Sequence, residues 1–272
     1  MRLWLFSQAA HANSVAAEGI VIDYVAMLFW LHQLAEVDHR IQNPFSEQKL
    51  LQLGEVSRIG PETRLLDLAC GKGELLSRWA ARHGASGHGV DLHEPFLADA
   101  ATRAAELGVA ERVSFEHRDA AGYVSAEPYD VVCCIGATWI GRGLTGTIEL
   151  LRRSVAPGGL LLIGEPYWID PPPAEAYQAY EFEPDEFSSL DGTLDRFEAA
   201  GVELVEMVLA NSDDWDRYTA SQWWNLTEWL RDNPDHPELA PVRQFRDRWR
   251  RAYLRYGRRY LGWGVFVLRV AP

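Results

Sequence analysis

The thirteen residues from Arg64 to Leu76 constrain the fold more than any other stretch of the chain. They read Arg-Leu-Leu-Asp-Leu-Ala-Cys-Gly-Lys-Gly-Glu-Leu-Leu. A short apolar run is followed by Gly71-x-Gly73, and then Leu75, Leu76, Trp79 and Ala80 recur at helical spacing. That order specifies a buried strand, a tight turn and a helix whose N-terminus faces the turn. Two details depart from a phosphate cradle: the third glycine position holds Leu76, and an acid, Asp67, sits near the strand end. A carboxylate aimed into the turn repels phosphates and suits a ligand carrying an ammonium group and a sulfonium charge. An ordinary α/β turn without a ligand is the plain alternative.

Asp67-x-Ala69-x-Gly71-x-Gly73 resembles motif I of the class I S-adenosylmethionine-dependent methyltransferases, Asp/Glu-x-Gly-x-Gly-x-Gly, with Ala69 in place of the first glycine. The following residues agree in order and spacing. Ser86 to Leu92 reads as a second strand ending in Asp91, 18 residues beyond Gly73. An acid at that distance accepts both ribose hydroxyls; it also suits the N-cap of the helix expected from Glu94 to Leu107. Arg112 to His117 alternates as a third strand and leads to Asp119-Ala120. There the resemblance implies an acid near the adenine amino group and a small residue against the ring, while a plain loop acid is the alternative. Tyr129 to Ile135 is a continuous apolar run, expected of a strand covered on both faces. It opens into small residues from Gly136, where backbone can approach a ligand. Leu144 to Val155 is the next helix, Pro157-Gly158-Gly159 its stop and turn, and Leu160 to Glu165 the fifth strand.

The resemblance therefore implies S-adenosylmethionine as cofactor and S-adenosylhomocysteine as product. It assigns the cofactor to Asp67, Ala69, Gly71, Gly73, Asp91, Leu92, Asp119, Ala120 and Gly136, with Arg40 pairing the methionine carboxylate. His-Arg-Ile-Gln-Asn-Pro-Phe from His39, Gly-Ala-Thr-Trp-Ile from Gly136, Gly-Glu-Pro-Tyr-Trp from Gly164, Trp-Asp-Arg-Tyr from Trp215 and Gly-Trp-Gly-Val-Phe from Gly262 resemble a largely uncharacterised group of bacterial small-molecule methyltransferases. Glu165, at the end of the fifth strand, and His39 are the candidate proton acceptors. Trp139, Tyr167, Trp168 and Trp263 are candidate walls of the acceptor pocket. Each has a structural alternative: cap, helix-end hydrogen bonder or core aromatic.

Outside these motifs, residues 1 to 19 carry no clear period, and loose packing is expected there. Leu3 to Phe6 is too short an apolar run for a secretory leader. Ile20 to Leu34 reads as an amphipathic or buried helix, shorter than a membrane span, with Met27 as a candidate alternative start. Ser46 is the expected N-cap of a helix ending near Gly54 or Gly60. Pro171-Pro172-Pro173 imposes an extended loop, Leu194 to Ala200 a helix and Val202 to Ala210 a sixth strand. About fifty residues then precede the last strand, Gly262 to Val270. The architecture the resemblance implies is α/β: a Rossmann-like, doubly wound, seven-stranded sheet with its seventh strand antiparallel, preceded by a helical cap over residues 1–60. Residues 61–272 form the methyltransferase domain, and 211–260 are a helical insertion or lid. That insertion and the segment from His39 to Phe45 are expected to enclose a small acceptor, with Glu165, Tyr167 and Trp168 as the floor.

The net charge of −13 disfavours nucleic acid and anionic membranes as partners. The insertion does carry a run of arginines, Arg243 to Arg259, among tryptophans; a solvated helix face pairing with Asp185, Glu186, Asp213 and Asp214 accounts for it. Three cysteines without ligand spacing imply reduced thiols, a cytoplasmic setting and no metal. A small-molecule acceptor and a monomer or homodimer complete the expectation. Two other classes remain open on the sequence: a cofactor-binding sensor or scaffold without turnover, and an NAD-dependent oxidoreductase. The missing third glycine and Asp67 count against the latter.

Overall fold

The computed structural model describes residues 18–270, with side chains from residue 26 on, so the expectation for the first seventeen residues lies outside what is described. The chain divides into two compact units. Among the described residues, one is an α/β unit of residues 40–167, 190–210 and 263–270; the other is helical, formed by residues 18–39, 168–189 and 211–262.

In the α/β unit, helix α2 (Glu47–Val56) precedes β1 (Arg64–Leu68), α3 (Glu74–His83), β2 (Ser86–Asp91), α4 (Glu94–Glu106) and β3 (Val113–His117). Then follow β4 (Tyr129–Ile135), a single 3₁₀ turn (Thr138–Gly141), α5 (Leu144–Arg152) and β5 (Val155–Trp168). Helix α7 (Leu190–Ala199), β6 (Val202–Leu209) and β7 (Leu261–Val270) complete it. The seven strands lie in the order β3-β2-β1-β4-β5-β7-β6. β1 pairs in parallel with β2 and β4, whereas β7 is antiparallel to β6. This is the expected Rossmann-like sheet. Leu65, Leu66 and Leu68 are at most 1% exposed, because helices cover both sheet faces and an unbroken apolar run can be buried. Leu66 and Leu68 form one core with Val132, Ile163, Phe197 and Phe266, each such side chain contributing roughly 1.5–3 kcal/mol on burial.

Ser46 caps α2 as expected, accepting the Lys49 N–H. The Lys49 ammonium donates to the Leu209 carbonyl at 2.6 Å, and Trp79 Nε1 donates to Leu50 O at 2.9 Å, so α2 is fixed to both β6 and α3. The expected turn at Pro157-Gly158-Gly159 needs correction. Helix α5 ends at Arg152, and the Pro-Gly-Gly lies inside β5. Val155 pairs with Tyr129 but Leu160 with Val131, so the residues between bulge out, with Gly158 at φ +77°, and the strand then resumes. Helix α7 also starts four residues earlier than expected, at Leu190.

The helical unit holds α1 (Glu18–Ala35), α6 (Ala174–Tyr180), α8 (Ser212–Asp232) and α9 (Leu239–Ala252), then one π turn (Tyr253–Gly257) running into Arg258–Tyr260. Asn211 and Asp214 close a capping box at the start of α8, which satisfies two otherwise orphaned amides. Leu28, Leu31, Trp168, Tyr180, Phe182, Leu226, Phe245 and Trp249 form its core. Within it Glu36, 0% exposed, accepts hydrogen bonds from Tyr218 Oη (2.8 Å) and Gln222 Nε2 (2.7 Å) and pairs with His39 Nδ1 at 2.6 Å. Four arginines of the run are ion-paired: Arg246 and Arg250 with Asp247, Arg248 with Glu181 and Arg258 with Asp216. Among the described residues, no helix is long and apolar enough to cross a membrane, and no cluster of His, Cys, Asp and Glu is arranged to hold a metal.

Candidate functional site

The order of strands reverses between β1 and β4. In an open α/β sheet that switch point leaves a crevice beyond the carboxyl ends of the strands. Motif I lies there. Ala69, Gly71 and Gly73 all have positive φ, at 61°, 57° and 63°. Ala69 N and Cys70 N both donate to Val90 O, at 2.8 and 3.1 Å, folding the turn back onto β2. Gly73 caps α3 with its backbone alone, and a Cβ there would lie 2.6 Å from the Phe115 ring. A side chain at this position would have to displace both Phe115 and α4.

Asp91 ends β2 and is 4% exposed. Its Oδ2 accepts the Gly71 N–H at 2.7 Å and its Oδ1 the His93 N–H at 2.9 Å. The carboxylate thus ties the glycine turn to the β2 end and brings together two residues that sequence reasoning assigned to the cofactor. The helix N-cap is His93, not Asp91. Asp67 is 3% exposed in the middle of the sheet, paired in register with Gly89 and Cys133. Burial first, and then the Asp67 charge, push the Cys133 thiol well up, so that thiol is not a nucleophile. At the start of α3, Glu74 is 5% exposed and is held by Arg78 (2.7 Å) and Arg103 (2.8 Å), which locks α3 to α4.

This donor set fits a cation-bearing nucleoside better than a pyrophosphate. Asp91, bonded to the turn's own Gly71 amide, and Asp67 on β1 would repel phosphate oxygens. S-adenosylmethionine is therefore the cofactor these residues suit.

The other predicted residues divide. Ala120 is 3% exposed, while Asp119 is exposed and accepts the Ala121 N–H at 2.8 Å. Leu92 is 46% exposed, and its carbonyl accepts from His117 Nε2 at 2.9 Å. Gly136 has φ +79° at the end of β4. Arg40 reaches away, to Glu106 at 2.9 Å near the C-terminal end of α4. Glu165 is buried on β5, and Oγ1 of Thr138 donates to its Oε2 at 2.7 Å. Tyr167 is buried in the α/β core, and that burial pushes its hydroxyl pKa up. Trp263, 1% exposed, packs edge-on against Phe45 at 5.3 Å. Trp139 is partly buried at the edge of the same core as Tyr167. Trp168 does not join Tyr167. It belongs to the core of the helical unit, with Tyr177 and Phe182 at 5.3 and 6.2 Å. His39 is likewise in the helical unit, its ring stacked on Tyr218 at 5.0 Å, with Nδ1 on Glu36 and Nε2 on Ser221 Oγ.

Three residues to which sequence reasoning gave no individual role bond to Glu165, to the glycine turn or to the end of β4. Thr138 holds Glu165. Gln42 Oε1 accepts the Lys72 N–H of the glycine turn at 3.2 Å, and Asn43 Nδ2 donates to Ile135 O at 3.3 Å. The last two stand in the string His39 to Phe45, in which only His39 and Arg40 were given individual roles.

Comparison with known proteins agrees with this geometry. Residues 65–159 match a family described as a methyltransferase domain. The chain is 47% identical over 237 residues to the uncharacterised protein YjhP of Escherichia coli (strain K12), covering 86% of this chain and 96% of that one. A SAM-dependent methyltransferase from Geobacter sulfurreducens, solved in complex with S-adenosyl-L-homocysteine, is 47% identical, with a TM-score of 0.85 over 88% of this chain and 97% of that one. The corresponding complex from Thiobacillus denitrificans is 44% identical, also with a TM-score of 0.85 and with coverage of 88% and 97%.

Proposed function

The chain belongs to the class I S-adenosylmethionine-dependent methyltransferases, and from that premise we propose that its methyl acceptor is a small molecule, methylated by in-line displacement. The nicotinamide alternative is thereby set aside. The observation that carries the proposal is the buried pair Glu165–Thr138. Both residues are 3% exposed, and they sit just after or near the carboxyl ends of β4 and β5, on the sheet edge that holds the cofactor turn. An acceptor that reaches a carboxylate buried to this degree has to be enclosed, which suits a small molecule better than a polymer.

S-adenosylmethionine supplies an electrophilic methyl group on a sulfonium. The chain has to bind that sulfonium, exclude water and hold the acceptor's nucleophile in line, and such positioning supplies much of the rate. Asp91, Gly71, Gly73, Ala69, Ala120 and Gly136 are the proposed cofactor contacts, with Asp67 and Asp119 beside them. Glu165 is the proposed proton acceptor for an acceptor that is protonated in its ground state. The Thr138 hydroxyl fixes the Glu165 rotamer and shares its charge. A screen of metabolites with labelled S-adenosylmethionine, followed by Glu165→Gln on the first acceptor found, tests the proposal. The expected result is a labelled small molecule and a fall in turnover of roughly 10²–10⁴-fold. Label appearing only on macromolecules, or a protein that binds the cofactor and never turns it over, would refute it.

A further inference from the structure

We infer that Gln42 and Asn43 form part of the cofactor site and that Asn43 holds the α-amino-acid end of S-adenosylmethionine. The inference rests on the cofactor reading above. Three observations place these residues at the switch point. Gln42, 4% exposed, accepts the amide of Lys72, the residue between the two glycines of the turn. Its neighbour Asn43 donates to the carbonyl of Ile135, the last residue of β4. The two consecutive side chains therefore bridge the ends of β1 and β4, where the crevice of an open α/β sheet lies. Finally, a Cβ on Gly136 would lie 2.2 Å from Asn43 Oδ1. Glycine at 136 is what lets the Asn43 amide come this close to the backbone after β4.

The segment is fixed at its C-terminal end. Phe45 is buried against Trp263, its N–H donates to Asn43 O at 2.7 Å, and Ser46 starts helix α2. Together with the bonds of Gln42 and Asn43, this ties the segment to the α/β unit through Gln42, Asn43, Phe45 and Ser46 rather than leaving it a trailing linker. The chemistry also matches. The α-amino-acid end of the cofactor carries an ammonium and a carboxylate and so has no net charge. An arginine can satisfy the carboxylate only; a side-chain amide offers a donor and an acceptor at neutral charge. Arg40, the charged residue expected in this role, is paired instead with Glu106.

The test uses two ligands that share the nucleoside and the thioether. S-adenosylhomocysteine has the amino-acid end, and 5′-methylthioadenosine lacks it. Calorimetry on the full chain should show that Asn43→Ala weakens S-adenosylhomocysteine by about 10- to 100-fold, the usual worth of hydrogen bonds to charged groups. 5′-Methylthioadenosine should change by less than about twofold. Asn43→Asp keeps the size and an acceptor but removes the donor; it should show the same selective loss and serves if the alanine variant does not fold. Equal losses on both ligands make Asn43 a structural strap and overturn the inference, as does no loss on either. A wild-type protein that binds neither ligand overturns the cofactor reading itself, a distinguishable result.

Discussion

Asp91 offers the sharpest single test of the cofactor site. The substitution is Asp91→Asn. In the native protein each carboxylate oxygen accepts one backbone amide, from Gly71 at 2.7 Å and from His93 at 2.9 Å. The amide side chain keeps one acceptor and turns an NH₂ toward the other N–H. At 4% exposure an unsatisfied donor costs roughly 1–3 kcal/mol, so the variant is expected to be less stable by that amount. The binding effect is separate. Ribose hydroxyls donating to a carboxylate contribute about 1.5–3 kcal/mol, against a total near −8 kcal/mol for micromolar binding. Affinity is therefore expected to fall by roughly 10- to 150-fold. The assay is calorimetry well below the variant's unfolding midpoint, run with S-adenosylhomocysteine and its 2′-deoxy and 3′-deoxy analogues. This makes a double cycle between side chain and hydroxyl. If Asp91 binds ribose, removing a hydroxyl costs wild type much and Asp91→Asn little. If wild type and variant lose equally on deoxygenation, Asp91 holds only the turn, and the ribose assignment is wrong.

The remaining expectations concern stability and partners. In the helical unit, burial pushes the Glu36 pKa upward, but the hydrogen bond and charge of His39, the charge of His32 and the Tyr218 hydroxyl outweigh it and hold the carboxyl at about 2 rather than 4.5. A depressed carboxyl stabilises the fold above its unfolded pKa and loses that contribution as pH falls through the folded value. Denaturant titrations should therefore show wild type losing about 3 kcal/mol between roughly pH 5 and pH 2 that Glu36→Gln does not lose; parallel curves would remove the assignment. The arginine run from Arg243 to Arg259, in which Arg246, Arg248, Arg250 and Arg258 are paired with Asp247, Glu181 and Asp216, is expected to give no salt-dependent binding to RNA or DNA at physiological ionic strength. A gel shift at submicromolar protein that collapses with added salt would show a true nucleic-acid surface.

What could be read from the sequence follows from how local each signal is. The strand, turn and helix of motif I occupy consecutive residues, and Asp91 lies 20 residues from the Gly71 amide it accepts, so spacing alone locates both. The strands from Arg64 to Glu165 were legible for the same reason, from local runs and alternation, whereas the antiparallel seventh strand was implied by the resemblance and not by any local signal. The helical unit is different. It is assembled from three separate segments, and the partners that satisfy Glu36, Tyr218 and Gln222, lie 182 and 186 residues away. No periodicity in either segment announces such a pair. Gln42 and Asn43 bond residues 30 and 92 positions downstream, and neither carries a charge that composition would flag. The Pro-Gly-Gly of β5 misled because a bulge and a turn use the same residues; only pairing with Tyr129 and Val131 distinguishes them. Yet distant partners leave one local trace. His32 and Glu36 interrupt a strongly apolar helix and the turn that follows it, and burying a carboxylate there demands donors from elsewhere. An unexplained polar residue among apolar ones therefore marks where a second segment docks, even when the sequence cannot say which segment that is.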